Sequence, residues 1–512
     1  MKLPDEGTNF RREVLRTTAM RSRLADLLTT ALSSSGSVTD LSSGEVVAFT
    51  ELLSRTRRHA VAPGEHVALF LHPGPTWIEH FLALLLGGAA AVPLALTAAA
   101  PELTHYLREA RVDRVIADEA HAPRIAPLLE GRPLRVIPSA SEIALNSQSR
   151  STATARVISD ASLALILFTS GTTGKPKAAA LTHANLHAQT RTLREAWNIV
   201  SADTLTTSLP MHHLHGVVVA VLTCLTAGAS VRVFQRFDSR ALLADLRHAT
   251  LLMTVPTILQ RLTDALEESP QAATHARALR LVTSGSAALP ASLAERWLRL
   301  TGELPLERYG MTEIGIALSN PLEPSERKPG QVGRPLTGVE IALLDDAGTV
   351  LEAATSDGVR EGELAVRGPS VFAGYLGPDG ARAPLTADGF FRTGDVVRQN
   401  ADGTFKILGR TSSDILKTGG EKVSALEVEE VCREHPGVAE VAVVGVPDET
   451  WGDRIVAFIV VAPAVEVAGF ASVLETFLRE RLAPYKRPKE LRFIDELPRN
   501  TMGKVQKQLL PR

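Results

Sequence analysis

One short run constrains this chain more than any other: Phe168-Thr-Ser-Gly-Thr-Thr-Gly-Lys-Pro-Lys177, which sets hydroxyls, glycines and lysines directly behind the apolar segment Leu163-Ala-Leu-Ile-Leu-Phe168. A short apolar run bounded by glycines reads as a buried strand. Where such a strand empties into Gly171 and Gly174, backbone N–H groups can close on an anion, because glycine accepts positive φ. Thr169, Ser170, Thr172 and Thr173 add hydroxyl donors, and Lys175 and Lys177 add charge. The run is not a Walker loop, which needs four residues between its glycines. Here two residues separate Gly171 from Gly174, and Pro176 stands where a Mg²⁺-binding hydroxyl would be. A flexible Gly/Thr turn with two solvated lysines is the bland alternative, and the loop alone does not decide between the two.

A chain of 512 residues exceeds what one core holds, so two or more domains are expected. A net charge of -2 gives no global attraction to nucleic acid or to an anionic membrane, and neither is expected as a partner. Cys224 and Cys432 lie far apart in segments that read as structured, which argues for core thiols rather than a disulfide or a Cys-rich metal site. Acids appear early, at Asp5 and Glu6, and apolar patches such as residues 81–87 are far short of the roughly 20 residues of a membrane span. Neither a secretory signal nor a membrane span is expected, and the simplest location is cytoplasmic. Apolar strands alternate with helical stretches, as at residues 65–71 then 77–85 and at 114–117 then 122–129, which predicts α/β layers. Residues 139–155, rich in Ser, Thr and Ala, read as a surface connection. A sharper boundary follows Gly409-Arg410. Beyond it Ser424-Ala-Leu-Glu427 reads as a capping box, and residues 439–445 and 454–461 read as strands. The domain expectation is therefore 1–410 and a small α+β unit over 411–512.

Further blocks follow the loop in order: Arg308-Tyr-Gly-Met-Thr-Glu313, Phe391-Arg-Thr-Gly-Asp395, Gly409-Arg410 with Lys417-Thr-Gly-Gly-Glu-Lys422, and Pro498-Arg-Asn-Thr-Met-Gly-Lys504. Together they resemble the adenylate-forming superfamily of acyl-CoA synthetases, nonribosomal adenylation domains and luciferases, over nearly the whole chain. One departure is visible, since the family usually continues the loop with glycine where this chain has Ala178. The resemblance implies an α/β fold, with a large N-terminal domain of layered α/β subdomains and a small mobile α+β C-terminal domain. It implies ATP, Mg²⁺ and coenzyme A as reactants or cofactors. By the same resemblance residues 169–177 hold the β- and γ-phosphates, Thr172 and Glu313 hold Mg²⁺, and Tyr309 stacks on adenine. Gly285, Ser286 and Ala287, with Glu307, Arg308, Gly310, Met311 and Thr312, line the nucleotide and acyl groups. Asp395 accepts the ribose hydroxyls, Arg410 touches ribose or phosphate, and Lys504 bridges carboxylate and α-phosphate. Lys489, Lys507 and Arg512 make the neighbourhood of Lys504 generally basic. Gly419, Gly420, Glu421 and Lys422 form the CoA loop, and Ser412 or Ser413 is the hinge on which the small domain turns.

Substrate choice falls to the middle of the chain. Pro210-Met-His-His-Leu-His-Gly216 puts three histidines in a turn before an apolar helix at 217–225. Such a cluster can bind zinc, but no acid or thiol neighbour completes a set. The family makes this block, with His215, pocket lining and a gate toward CoA. Thr254-Val-Pro-Thr-Ile-Leu-Gln-Arg261 carries one arginine in an apolar segment, for which a surface Arg is the plain reading. Taken with Ser284-Gly-Ser-Ala-Ala-Leu-Pro290 and Glu307-Arg308-Tyr309, however, it resembles the malonyl-CoA synthetase branch. In that branch the positions of Arg261 and Arg308, with His215 and Ser286 nearby, hold the distal carboxylate of a short diacid. Malonate is the expected substrate, with methylmalonate a variant that needs room for one methyl. Another short acid, such as oxalate or a small monocarboxylate, and delivery to an acyl carrier protein instead of CoA remain as alternatives.

Overall fold

The computed structural model describes residues 22–138, 158–169, 176–269, 272–351, 358–463, 465–499 and 505–511. The chain divides into two compact units: the residues up to Phe237 with Pro369–Ala383, and Asp238–Gly368 with Pro384–Arg512. The expected surface connection at 139–155 lies outside the described residues.

The first unit is built on a sheet whose order is Gly380–Arg382, Gly374–Gly377, Lys177–Thr182, Leu163–Thr169, Ala90–Pro93, His66–Phe70, Arg114–Asp118, Leu134–Ile137. From Leu163–Thr169 to Leu134–Ile137 neighbouring strands run parallel. A parallel strand is covered on both faces and so reads as continuously apolar, which is why 66–70 and 163–169 stand out in the sequence. The helix Pro75–Gly87 buries Trp77, Ile78, Phe81, Leu82, Leu84 and Leu85, nearly its whole circumference, and stops where Gly88 takes φ of 79°. The helix expected at 122–129 is shorter. It is an α-turn, Ala122–Ile125, followed by a 3₁₀ turn, Ala126–Leu128. Pro127 has no N–H to continue the α ladder, which accounts for the change. Further along this unit Thr204–Thr207, Ser230–Val233 and Ser37–Asp40 pair in parallel, with Val46–Ala48 antiparallel beyond.

In the second unit the strands Leu251–Thr254, Leu281–Ser284 and Leu306–Met311 run parallel, with Gly315–Ser319 antiparallel beside them. A four-stranded antiparallel sheet follows, in the order Glu340–Leu344, Arg360–Arg367, Phe391–Gln399, Phe405–Arg410. The segment after Arg410 forms its own sheet from Glu421–Ser424, Ile415–Thr418, Gly452–Val461 and Val438–Asp448, with Glu490–Phe493 added in parallel. The Ala425–Arg433 helix and the Phe470–Arg481 helix pack on this sheet through Val428, Cys432, Phe470, Leu474 and Leu478. Ser424 caps the first of these helices, accepting from the Glu427 N–H at 3.1 Å. The reciprocal half of the box is absent, because the Glu427 carboxylate pairs with Lys486 instead. Both cysteines are buried, and burial pushes the Cys432 thiol up to about 12. Among the described residues no helix is long and apolar enough to cross a membrane.

Candidate active site

In the first unit Leu163–Thr169 and Lys177–Thr182 pair antiparallel, with Thr169 opposite Lys177 and Phe168 opposite Ala178. The Gly/Thr run therefore joins two strands of one hairpin at the carboxyl end of a parallel strand, where open α/β sheets bind ligands. Ser170, Gly171, Thr172, Thr173, Gly174 and Lys175 lie outside the described residues. Ala178, the departure from glycine, is fully buried, and its methyl belongs to the core below the loop. Two contacts here have no local sequence signal. His105 Nε2 lies 2.7 Å from the Pro176 carbonyl, and Lys177 Nζ sits 5.1 Å from the centre of the Tyr375 ring. The first ties down the loop's exit, and the second aims a lysine by cation–π attraction.

His215 opens the π-type helix His215–Leu222, which continues into the α-helix Thr223–Ala227. The helix expected at 217–225 is thus present, but most of it is wound with the wider π turn, a form concentrated at functional sites. Gly216 permits it, since a Cβ there would stand 2.2 Å from the Pro210 carbonyl oxygen. Burial pushes His212 down to about 3 and His213 to about 4, so both are neutral near pH 7. Their ring centroids lie 4.2 Å apart.

In the second unit Thr254, Ser284 and Glu307 are in register across the three parallel strands. The residues that follow them, Gly285-Ser286-Ala287 and Arg308-Tyr309, therefore emerge along one carboxyl edge. Arg308 is buried, and among the described residues neither its Nε nor its Nη2 has a hydrogen-bond partner. Burial alone pushes its guanidinium down to about 9. Gly285 makes the space, since a Cβ there would lie 2.5 Å from both Cζ and Nη1 of Arg308. Ser286 then takes φ of 69°, a left-handed conformation costing a non-glycine residue roughly 1–2 kcal/mol. Arg261 is placed differently, on the exposed face of the Pro256–Glu268 helix.

Glu307 turns away from this edge. Its carboxyl accepts from the Gly330 N–H at 2.8 Å, and burial raises it to about 8. Tyr309 donates its hydroxyl to Asp395 Oδ2 at 2.5 Å, while Arg410 Nε lies 2.9 Å from Asp395 Oδ1. Register explains the second contact, because Asp395 and Arg410 are direct partners on antiparallel strands. Burial first, then the Asp395 carboxylate, raises the Tyr309 phenol, which keeps its proton and stays a donor. A bulge at Tyr309/Gly310 turns the chain, and only glycine fits there, since a Cβ would meet the Gly315 carbonyl oxygen at 2.1 Å. Met311 ends the strand, and Thr312 and Glu313 form the turn, with Glu313 buried.

Ser412 and Ser413 are exposed in the turn between Phe405–Arg410 and Ile415–Thr418. Gly419 and Gly420, with φ of 58° and 84°, form the two-residue turn of the hairpin in which Thr418 faces Glu421. Lys422 pairs with Asp346 at 2.6 Å on the surface. Lys504 lies outside the described residues. On either side of it, Arg499 and Val505 form an antiparallel bridge, and the Gln506 N–H donates to the Pro498 carbonyl at 2.8 Å.

A family model described as AMP-binding enzyme matches residues 34–376, and one for the AMP-binding enzyme C-terminal domain matches residues 427–504. The chain belongs to the AMP-binding enzyme family. Among relatives of this family, the mitochondrial malonate–CoA ligase of Bos taurus is 38% identical, with 88% of this chain and 81% of that protein covered. The ATP-bound MatB structure from Rhodopseudomonas palustris superposes with a TM-score of 0.86 at 32% identity, covering 96% of this chain and 98% of that one. A malonyl-CoA ligase in a product complex with methylmalonyl-CoA and AMP is 35% identical, with a TM-score of 0.64 over 92% of this chain and 99% of that one.

Proposed function

We propose that this AMP-binding enzyme is a malonate–CoA ligase. Malonate attacks the α-phosphorus of ATP, giving malonyl-adenylate and pyrophosphate, and the CoA thiol then displaces AMP to give malonyl-CoA. A carboxylate is a poor acyl donor because its leaving group would be oxide, and AMP replaces oxide as leaving group. The observation that carries the substrate is Arg308: a buried guanidinium with two nitrogens that find no partner among the described residues is costly unless a ligand anion completes it. The planar fork of arginine suits a carboxylate, and the distal carboxylate of a diacid supplies the missing charge. The malonate–CoA ligases among its relatives support the same reading.

Under this reading residues 169–177 supply donors and charge to the phosphates, and Tyr309, Asp395 and Arg410 hold the nucleoside. Lys504 offsets the repulsion between the two reacting anions, the electrostatic effect that dominates such catalysis. Glu313, a buried carboxylate, fits the hard-oxygen preference of Mg²⁺ and would hold it with Thr172. Bound there, the ion would neutralise charge on the phosphates. The segment beyond Arg410 turns about Ser412 or Ser413 between the half-reactions, bringing residues 419–422 to serve thioester formation. A pyrophosphate-release panel of malonate, methylmalonate, oxalate, propionate and butyrate tests the reading. Malonate should exceed butyrate by roughly a hundredfold or more in kcat/KM, and equal rates would sink it. Running malonate with free CoA and with a carrier protein identifies the acceptor.

A further inference from the structure

Lys507 is three residues beyond Lys504 and is itself nearly buried, with 15% of its side chain exposed. Its Nζ lies 2.6 Å from Asp414 Oδ1 and 2.7 Å from Glu429 Oε1. Burial pulls the ammonium down, but the Glu429 and Asp414 carboxylates outweigh it and hold the group above the ordinary lysine value. The two acids are fixed from other directions. Glu429, on the Ala425–Arg433 helix, also accepts from the Val443 N–H at 2.8 Å and pairs with Arg433 at 2.9 Å. Asp414 is the last residue of the turn that holds Ser412 and Ser413. Its second oxygen accepts from the Arg410 N–H at 3.1 Å, and its carbonyl from the Ala425 N–H at 2.7 Å. Arg499, on the other side of Lys504, pairs with Glu440 at 2.8 Å. Leu510 packs among Val444, Val446, Phe458 and Leu497 and anchors the tail beyond.

We infer that Lys507 is a positioning residue for adenylation: through Asp414 and Glu429 it fastens the Lys504-bearing tail to the hinge turn and to the Ala425–Arg433 helix, so that turning at the hinge carries Lys504 with it. The inference rests on the proposed roles of Lys504 and the hinge. Three residues of chain reach at most about 10–11 Å, so an anchored Lys507 bounds where Lys504 can be. Without the anchor, Lys504 loses the rigid support that a near-attack geometry needs, and a misplacement of about 1 Å costs on the order of a hundredfold. Thioester formation, which does not use Lys504, has no such dependence.

The test uses the full chain and measures the half-reactions separately: pyrophosphate release with malonate and ATP, and malonyl-CoA formation from prepared malonyl-adenylate and CoA. Lys507→Met should slow the first by roughly tenfold or more and the second by less than about threefold, and Lys507→Arg should restore the first to within about threefold. Asp414→Asn, which keeps the shape and removes the charge, should show the same asymmetry if Lys507→Met fails to fold. Equal losses in both half-reactions, or none, would assign Lys507 to stability alone. Wild-type turnover of malonate is read first, so failure of the substrate assignment is seen independently of this one.

Discussion

Two buried cations of the second unit sit in opposite surroundings. Arg308 lies behind Gly285 with two nitrogens unmatched among the described residues, and its guanidinium is pushed down to about 9. Lys507 is held by two carboxylates and its ammonium is pushed up. Both sites desolvate a positive charge, but only the second returns compensation from within the fold. A buried charge satisfied by its own chain is structural support, whereas one left open is preorganised for a ligand of opposite sign. Under the proposed function Arg308 therefore belongs to recognition and Lys507 to architecture.

The largest expected effect comes from deleting the open charge. Arg308→Met should lower kcat/KM for malonate by roughly a hundredfold or more, because the distal carboxylate is then buried without its partner, at a cost on the order of 3–5 kcal/mol. Butyrate should change little, so the malonate-to-butyrate ratio is the readout, and a parallel loss for both acids would erase the contrast with Lys507. A smaller effect should follow from filling the slot. Gly285→Ala puts a methyl 2.5 Å from the guanidinium, and the flexible end of Arg308 must move rather than the backbone. Malonate kcat/KM should fall by about tenfold with little change in melting temperature. A large drop in melting temperature with an unchanged acid ratio would make Gly285 a packing residue.

The smallest effect concerns a buried acid, Glu307, raised to about 8 by burial. In the folded chain it keeps its proton between its ordinary range near 4.5 and about 8, while the unfolded chain loses it. The folded state binds more protons there, so this contribution to stability is whole below about 4.5 and is lost as pH rises through 8. Glu307→Gln retains an acceptor for the Gly330 N–H and should remove that slope. Melting curves from pH 5 to 9 should show the variant gaining on wild type by about 1–3 °C at the alkaline end. Parallel curves would mean that Glu307 is ionised throughout.

The sequence shows some of this site plainly. The apolar run before the Gly/Thr loop is the strand Leu163–Thr169, and Ser424 caps its helix, because both are decided by a few adjacent residues. The small unit past Arg410 has its own sheet and core, as the strand pattern at 439–461 implied. What stayed hidden depends on register between distant segments. The Tyr309 hydroxyl meets a carboxylate 86 positions away, and Lys507 reaches an acid 93 positions back. The resemblance gave Arg261 and Arg308 one shared role, yet Arg261 stands on a helix face open to solvent and Arg308 is buried in the strand Leu306–Met311. The π winding after His215 escaped as well, since apolar residues on all sides leave no periodicity to read.

Asp395 has a thermodynamic consequence of its own. Both carboxylate oxygens are engaged within the chain, one by the Tyr309 phenol and one by Arg410. Under the proposed function a sugar hydroxyl would use the lone pairs these two bonds leave open, on an acceptor they have already oriented. Discrimination at this position then resides in geometry, in how well a pair of hydroxyls fits an acceptor already locked in place. Because the lock is set before binding, the residue loses almost no rotational freedom when the sugar docks.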